Sequence, residues 1–426
     1  MQAFRLTDEF QAPQAERALL ASVAQTPSLY WQLLDVLPHG AFVAEAPTWQ
    51  QVSRAVEAEH PPEVPSDWVP SPDPETTARE LADLSQRRLA AQIVERLTST
   101  LHDPTQPMPD LSALLDEQSA QVRETLRAQE AGRLVWASDL VAQVLSDAEE
   151  RRRQREDTGR PVMGLPTGLP QLDALMGGLT TGLFILAGAP GTGKTTLALQ
   201  AAAAATQEVP VVYVTFENSP TSLTLKAISA RAGINPQQVL RGWAEPAALK
   251  RAAAEWRPIA SRMALIEGTG RLTVAQIRAK ALQAINRHRT KRCLVVVDYL
   301  QLWAKLASEL RGLTTVRERV ETLGSTLREL AVRLDSPVLA LASQNRAQGD
   351  YGDGNGTASL DSLKESGDLE YAADAVMFLT RSKKRQSIAP ARALDLTLAK
   401  NRSGDIGKVD LIFRPDLGIF REEARP

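Results

Sequence analysis

The chain has 426 residues, 43% of them apolar, with a formal net charge of −2 and a single cysteine. That length exceeds one ordinary domain, and the apolar fraction is enough to bury a core. The near-neutral balance excludes a global positive field as a source of nucleic-acid affinity, so any such contact must come from local patches or from many subunits together.

The N-terminus, MQAFRLTDEF, lacks a basic segment followed by an apolar one, and no run approaches the length needed to span a bilayer. A cytoplasmic protein without membrane contact is expected. From Ala15 to Leu37 apolar residues recur at helical spacing, with Pro27 and Pro38 as breaks, and TWQQVSRAVEAE reads as another short helix. Six prolines between His60 and Pro74, counting the latter, argue for a loop or exposed linker. Helical pattern returns in TARELADLSQRRLAAQIVERLTSTL and again at Leu111 to Ala131. Residues 1–130 therefore read as an all-helical unit, and 131–159 as a linker helix, Ala137 to Gln154, ending in the solvated charge run EERRRQRED and a connector. The Gly- and Pro-rich stretch TGRPVMGLPTGLPQLDALMGGL reads as an extended connector into the next domain, 160–426.

There the chain alternates short β-branched runs with helices. LFILAGA, VPVVYVTFE, MALIEG, CLVVVDYL, SPVLALASQ, DAVMFLT, LDLTLAK and KVDLIF are the strand candidates. Several are apolar throughout, as parallel strands covered on both faces are, so an α/β sheet with ligands at the carboxyl ends of its strands is expected. Cys293, at the head of CLVVVDYL, reads as a small buried thiol.

The first strand leads into GAPGTGKT, Gly188 to Thr195, which matches G-x-x-x-x-G-K-[ST] between a strand and a helix. Gly188, Gly191 and Gly193 free the backbone to turn its N–H groups, with those of Ala189, Pro190's neighbours and Thr192, around a phosphate. Lys194 supplies a cation for the β- and γ-phosphates, Thr195 a hydroxyl for Mg²⁺, and Thr196 continues into the helix whose positive end faces the anion. ATP or GTP binding follows.

Downstream, Asp298 closes LVVV, where a phosphate-loop enzyme holds Mg²⁺ through its water shell. Glu217 directly follows VYVTF and is either a water-activating base or an ordinary acid at a helix start. Gln344 is either a γ-phosphate reporter or a polar strand terminus. Lys400 and Arg402 are either exposed basic turn residues or cations that reach a neighbouring subunit's nucleotide. Directly after Gln344, Asn345 to Gly367 is long and rich in Gly, Asp and Ser, and Lys364 within it suits a nucleic-acid backbone better than bases.

Together GLPTGLPQLDALMGGL, GAPGTGKTTLAL, VYVTFENSP, VVVDYLQL, SLDSLKESGDLEYAADAVMFL and AKNRSGDIGKVDLIF resemble the hexameric replicative DNA helicases of the DnaB family, from Gly164 to the C-terminus. PQAERALLASV and QRRLAAQIVERL resemble that family's helical collar, here shortened. The resemblance implies a RecA-like ATPase domain behind a small helical domain, using ATP and Mg²⁺ in a hexameric ring that moves 5′ to 3′ on single-stranded DNA. It implies Lys194 and Thr195 at ATP–Mg²⁺, Asp298 as the Walker B carboxylate, Glu217 as the catalytic glutamate and Gln344 as a coupling residue. Lys400 and Arg402 would act across the subunit interface, Lys364, Glu365 and Gly367 would grip DNA, and primase and a helicase loader would be partners. Two other readings stay open: a recombinase-like or clock-like ATPase that does not unwind, and an assembly or loader protein whose oligomerisation ATP controls.

Overall fold

The computed structural model describes residues 9–34, 36–38, 40–102, 136–158, 164–310, 312–343, 367–383 and 385–423. By its internal contacts the chain divides into two compact units, Met1–Ser146 and Asp147–Pro426.

In the first unit, helices α1 (Pro13–Gln25), α2 (Leu29–Leu33), α3 (Ala46–Glu57) and α4 (Pro74–His102) enclose Leu19, Leu20, Tyr30, Val52 and Leu81. Proline starts α1 and α4, where the missing N–H belongs to a turn that has no intrahelical partner for it. The proline-rich stretch before α4 is irregular, as its composition implies, yet it is anchored: Pro62 is buried, Val64 and Trp68 pack on the helical core, and Ser71 N donates to Ala18 O at 3.2 Å. Two buried charges tie the unit together. The Glu16 carboxylate accepts from the amides of Val43 (3.1 Å) and Glu45 (2.8 Å), and the Arg88 guanidinium donates to the carbonyls of Phe10 (2.6 Å), Gly40 (3.1 Å) and Ala41 (2.8 Å). The expected helix at Leu111 to Ala131 lies outside the described residues. Helix α5 (Ala137–Thr158) spans the division between the units and leaves Leu140, Val141, Val144 and Leu145 exposed. Its charged end is solvated, with an Arg152–Glu156 pair one turn apart.

The second unit opens with a correction. The stretch after Gly164 is not an extended connector: Leu165 bridges Leu179 antiparallel, and Pro170–Met176 forms helix α6. Leu165, Leu169, Leu172 and Met176 are spaced to face inward and all are buried, and the buried Asp173 carboxylate closes the turn by accepting from Thr167 N (2.9 Å) and Thr167 Oγ1 (2.7 Å).

Nine strands follow among the described residues: β1 (Gly182–Gly188), β2 (Val211–Thr215), β3 (Met263–Glu267), β4 (Leu294–Asp298), β5 (Pro337–Ser343), β6 (Ala375–Arg381), β7 (Arg392–Asn401), β8 (Gly407–Arg414) and β9 (Ile419–Glu422). They form one sheet in the order β3-β2-β4-β5-β1-β6-β7-β8-β9, with β1 to β6 mutually parallel and β6 to β9 antiparallel. The intervening helices are α7 (Lys194–Ala205), α8 (Pro220–Ala232), α9 (Pro236–Leu240), α10 (Pro246–Ala260), α11 (Val274–His288), α12 (Leu300–Leu306), α13 (Val316–Leu334) and α14 (Gly367–Ala372).

Strand alternation sends Phe184, Leu186, Tyr213 and Val296 to a face packed on α7 and α8, and Leu183, Ile185, Val214 and Val295 to a face packed on α11, α12 and α13. Two covered faces explain why the parallel strands are apolar throughout. In antiparallel β7 the buried side chains are Ala393, Leu394, Leu396 and Leu398, and from Leu394 on polar residues alternate with the leucines. Sequence periodicity missed β9, a four-residue edge strand containing Arg421 and Glu422; its one signal is the Gly418 turn before it, at φ +66°.

Arg88→Ala would strand three carbonyls in the core of the helical unit, a loss of about 1–3 kcal/mol. Denaturant unfolding of the full chain should show one transition moved to lower denaturant with ATP affinity unchanged.

Candidate active site

β1 ends at Gly188, and the loop to α7 carries the matched motif. Gly191 and Gly193 have φ of +78° and +96°, so both adopt the left-handed backbone that the loop requires. Gly193 is also hemmed in: a Cβ there would lie 2.8 Å from the Phe420 ring and 2.9 Å from Phe413. Those two rings stack at 4.3 Å on β8 and β9, so the antiparallel end of the sheet forms the floor of the loop. α7 starts at Lys194 with no side-chain cap, which leaves its first N–H groups to an anion. Thr192 Oγ1 donates to Ala189 O at 2.8 Å, and Lys194 Nζ donates to the carbonyls of Gly188 (2.8 Å) and Ala189 (3.1 Å). Thr196, two residues further along α7, lines a neighbouring cavity of about 270 Å³ with Lys226, Trp256 and Ile419.

The register between β2 and β4 sets Thr215 beside Asp298, and period two places Asp298 on the face of Tyr213. The Tyr213 hydroxyl donates to Asp298 Oδ2 at 3.0 Å, and the Thr195 hydroxyl also hydrogen-bonds the carboxylate. Burial pushes the Asp298 carboxyl above its ordinary range, against these hydrogen bonds. Burial lowers the Lys194 ammonium below its ordinary range, opposed by the charges of Asp298 and then Glu217. Tyr213, fully buried, is held well above the ordinary phenol range by burial and by Asp298.

Glu217 lies two residues past β2 and is exposed, in electrostatic reach of Lys194 and Asp298. Its segment is fixed by Phe216 N donating to Asp298 O (2.7 Å), by the Phe216 ring stacked on Trp303 (5.2 Å), and by Asn218 N donating to Thr215 Oγ1 (3.0 Å). One end of the sheet thus gathers Lys194, Thr195, Asp298 and Glu217. Such a set has donors and a cation for phosphates, a hydroxyl and carboxylate for a divalent cation, and an exposed carboxylate for a water.

Gln344, Lys364 and Glu365 lie outside the described residues, and Gly367 is the first residue of α14. What is described just before Gln344 is the end of β5. There the Gln301 side chain accepts from Ser343 N (2.9 Å) and donates to Ser343 O (3.0 Å), continuing the sheet where β4 has stopped.

Lys400 and Arg402 are not part of this cluster. β7 runs antiparallel to β6 and pairs Asn401 with Ala375, while β1 pairs Phe184 with that same Ala375. Lys400 pairs with Val376, level with Ile185, and Arg402 N donates to Asp374 O at the level of Leu183, so the two cations stand three and five residues back from Gly188, about 10 to 17 Å along the strand from their own phosphate loop. Lys400 Nζ donates to Glu370 O (2.6 Å), and Arg402 donates to Tyr371 O (2.7 Å) and Asp374 Oδ1 (3.2 Å). Sequence reasoning missed Tyr213, Gln301 and Asp374. Tyr213 had a signal, being a phenol in the middle of a run of valines.

Two other sequence expectations can be placed. Cys293 is buried, which pushes its thiol up to about 12, so no thiolate forms at neutral pH. Among the described residues no helix is long and apolar enough to cross a membrane.

A mostly parallel sheet covered on both faces, with a phosphate loop at the carboxyl end of a central strand and a buried carboxylate on a nearby one, defines a phosphate-loop ATPase of the RecA-like kind. The profile of the family described as DnaB-like helicase C terminal domain matches residues 164–422, and the chain belongs to that family. It is similar to the replicative DNA helicase DnaB of Leifsonia xyli, at 28% identity over 80% of this chain and 73% of that one, and to that of Rickettsia bellii, at 31% identity over 61% and 57%. The fold is also that of a solved DnaB-like replicative helicase described with its interactions with primase (TM-score 0.67, 20% identity, 96% of this chain and 99% of that one). The ATPase domain of G40P superposes at TM-score 0.57 with 24% identity, over 67% of this chain and 99% of that one. The chain is an ATP-hydrolysing enzyme with the helicase fold.

Because the folded carboxyl of Asp298 is raised, its ionised form costs stability: the fold gains from this group at low pH and loses that gain as pH rises from the ordinary carboxylate value through the raised one. Asp298→Asn should therefore raise the melting temperature at neutral pH without nucleotide, the gain vanishing below about pH 4, while Mg²⁺-dependent ATP hydrolysis is lost. Scanning calorimetry across pH, with a hydrolysis assay beside it, checks both halves.

Proposed function

We propose that the chain is the subunit of a ring-shaped, ATP-driven DNA helicase that moves along single-stranded DNA, 5′ to 3′, and separates the duplex ahead of it at replication forks. The observation that carries this is the separation just described: Lys194, Thr195, Asp298 and Glu217 at one end of the sheet, Lys400 and Arg402 at the other. Cations set back about 10 to 17 Å along the strands from their own phosphate loop, with their side chains bonded away from it, would serve a nucleotide that a second copy presents. A ring, taken as a hexamer by family resemblance, is a closed arrangement in which head-to-tail contact completes every site in the same way. The exposed apolar residues of α5 supply surface for such an assembly.

In each composite site the loop amides from Gly188 to Thr195 and the Lys194 ammonium would hold the β- and γ-phosphates. The donor set fits a divalent cation: Thr195 and Asp298 would hold Mg²⁺, which when bound neutralises charge between the β- and γ-phosphates. Glu217 would orient and deprotonate the attacking water, and the neighbour's Lys400 and Arg402 would stabilise charge on the transferring phosphoryl group. Gln344 would report the γ-phosphate to the following segment, where Lys364, Glu365 and Gly367 would grip the DNA backbone without reading bases. Primase at the helical unit and a helicase loader are further proposed partners, and the cytosol the proposed compartment.

Glu217→Gln should bind ATP normally and trap it, whereas unimpaired turnover would move the base elsewhere. Unwinding of a forked duplex with a free 5′ tail, measured beside Lys194→Ala, tests the function itself. ATP-dependent strand separation, absent in the variant, is expected. Turnover without separation would favour a recombinase-like ATPase, and slow turnover that single-stranded DNA does not accelerate would favour an assembly or loader protein.

A further inference from the structure

Asp374, between α14 and β6, is the point at which the two ends of this chemistry meet. Its backbone N–H donates to Leu183 O at 2.8 Å and its Oδ2 accepts from Leu183 N at 2.9 Å, so the residue is clamped to the first turnout of β1, the strand that carries the phosphate loop at its far end. The approach is close enough to require glycine next door: Gly182 has φ +150°, and a Cβ there would lie 2.7 Å from Asp374 Oδ2. The other oxygen, Oδ1, accepts from Arg402 Nη1 at 3.2 Å and from Arg328 Nη2, on α13, at 3.3 Å. Arg402 is fixed further by its own N–H donating to Asp374 O (2.8 Å) and by Nη2 donating to Tyr371 O (2.7 Å).

The charge count matters as much as the geometry. Lys400, Arg402 and Arg328 gather within electrostatic reach of one another, and Asp374 is the carboxylate that two of them touch. Three cations around it and Glu370 leave the patch with excess positive charge, and each of the three cations disfavours the others' approach. Without a carboxylate at the centre, a guanidinium on an exposed turn would swing away into solvent, losing the preorganisation that makes a charged donor effective toward a developing anion. With it, two of Arg402's five N–H donors are committed to the subunit and the remainder are held in a fixed direction.

We infer that Asp374 is the positioning residue for Arg402, tying the cation offered to a neighbouring subunit's nucleotide to the base of the strand that holds the subunit's own. This rests on Arg402 acting on ATP across the interface. It extends that assignment by naming the group that aims the guanidinium and by giving each subunit a rigid path, β1, between the site it owns and the site it completes.

The test is a double-mutant cycle in the full chain, read in single-turnover ATP hydrolysis with single-stranded DNA. Asp374→Asn keeps an oxygen for Leu183 N and removes the charge that Arg402 and Arg328 share. The rate constant should fall about tenfold or more, the size expected for one charge-assisted hydrogen bond, with KM for ATP and the melting temperature little changed. In the Arg402→Ala background the same change should cost nothing further, because Asp374 acts through Arg402. Additive losses in the double variant, or a normal rate in Asp374→Asn, would overturn the positioning role. Normal hydrolysis in Arg402→Ala would instead defeat the assignment of Arg402 on which it rests. Should Asp374→Asn not fold, Arg328→Met gives the second reading: it leaves the Arg402–Asp374 pair intact, so a rate within about twofold is expected and a tenfold loss would count against the pair.

Discussion

The pairing of β1 with β5 on one side and β6 on the other is the constraint on which everything else depends. Gly182 to Gly188 stays in unbroken register with Pro337 to Ser343, and Phe184 to Gly188 with Ala375 to Leu379. That register fixes the phosphate loop at one end of the central strand and Asp374 at the other. A slip of one residue would exchange the faces of Phe184, Leu186, Leu183 and Ile185, and with them the two cores. The site is therefore as rigid as the most deeply buried strands in the molecule.

Burial then sets the chemistry. Asp298 is almost wholly enclosed, and burial raises its carboxyl while it lowers the Lys194 ammonium. Each shift disfavours the charged form, and a cation beside Asp298 or phosphates beside Lys194 would oppose it. The floor of stacked Phe413 and Phe420 beneath Gly193 keeps the loop open to that ligand without adding a polar competitor.

Much of this was legible in the residues. The eight strand candidates correspond to β1 through β8, because runs such as LVVV and VVYVT must be covered on both sides, and the phosphate-loop match required only its strand and helix flanks. The capping boxes that Thr273 and Thr315 form with Gln276 and Glu318 were helix-start signals in the residues that sequence reasoning missed. The other missed features are those that depend on strand order. Nothing in LDLTLAKNRSG says that β7 runs antiparallel to β6, and so nothing says that Lys400 and Arg402 end up opposite their own loop. Asp374 and Gln301 were invisible for the same reason: their partners, Arg402 and Ser343, lie 28 and 42 residues away along the chain. The stretch Leu165 to Leu179 was misread because glycine and proline suggested a linker, while its buried leucines, tied by Asp173 to Thr167, make it part of the core.

A nucleotide site shared between two copies is the central claim. It is tested most directly by mixing Lys194→Ala subunits, which cannot hold ATP, with Arg402→Ala subunits, which cannot complete a neighbour's site, and measuring DNA-stimulated hydrolysis against mixing ratio. Each variant alone should be inactive, and activity should appear in mixtures and peak near equal proportions, because an Arg402→Ala loop beside a Lys194→Ala subunit meets an intact arginine. Mixtures that stay as inactive as their components would contradict a site divided between subunits.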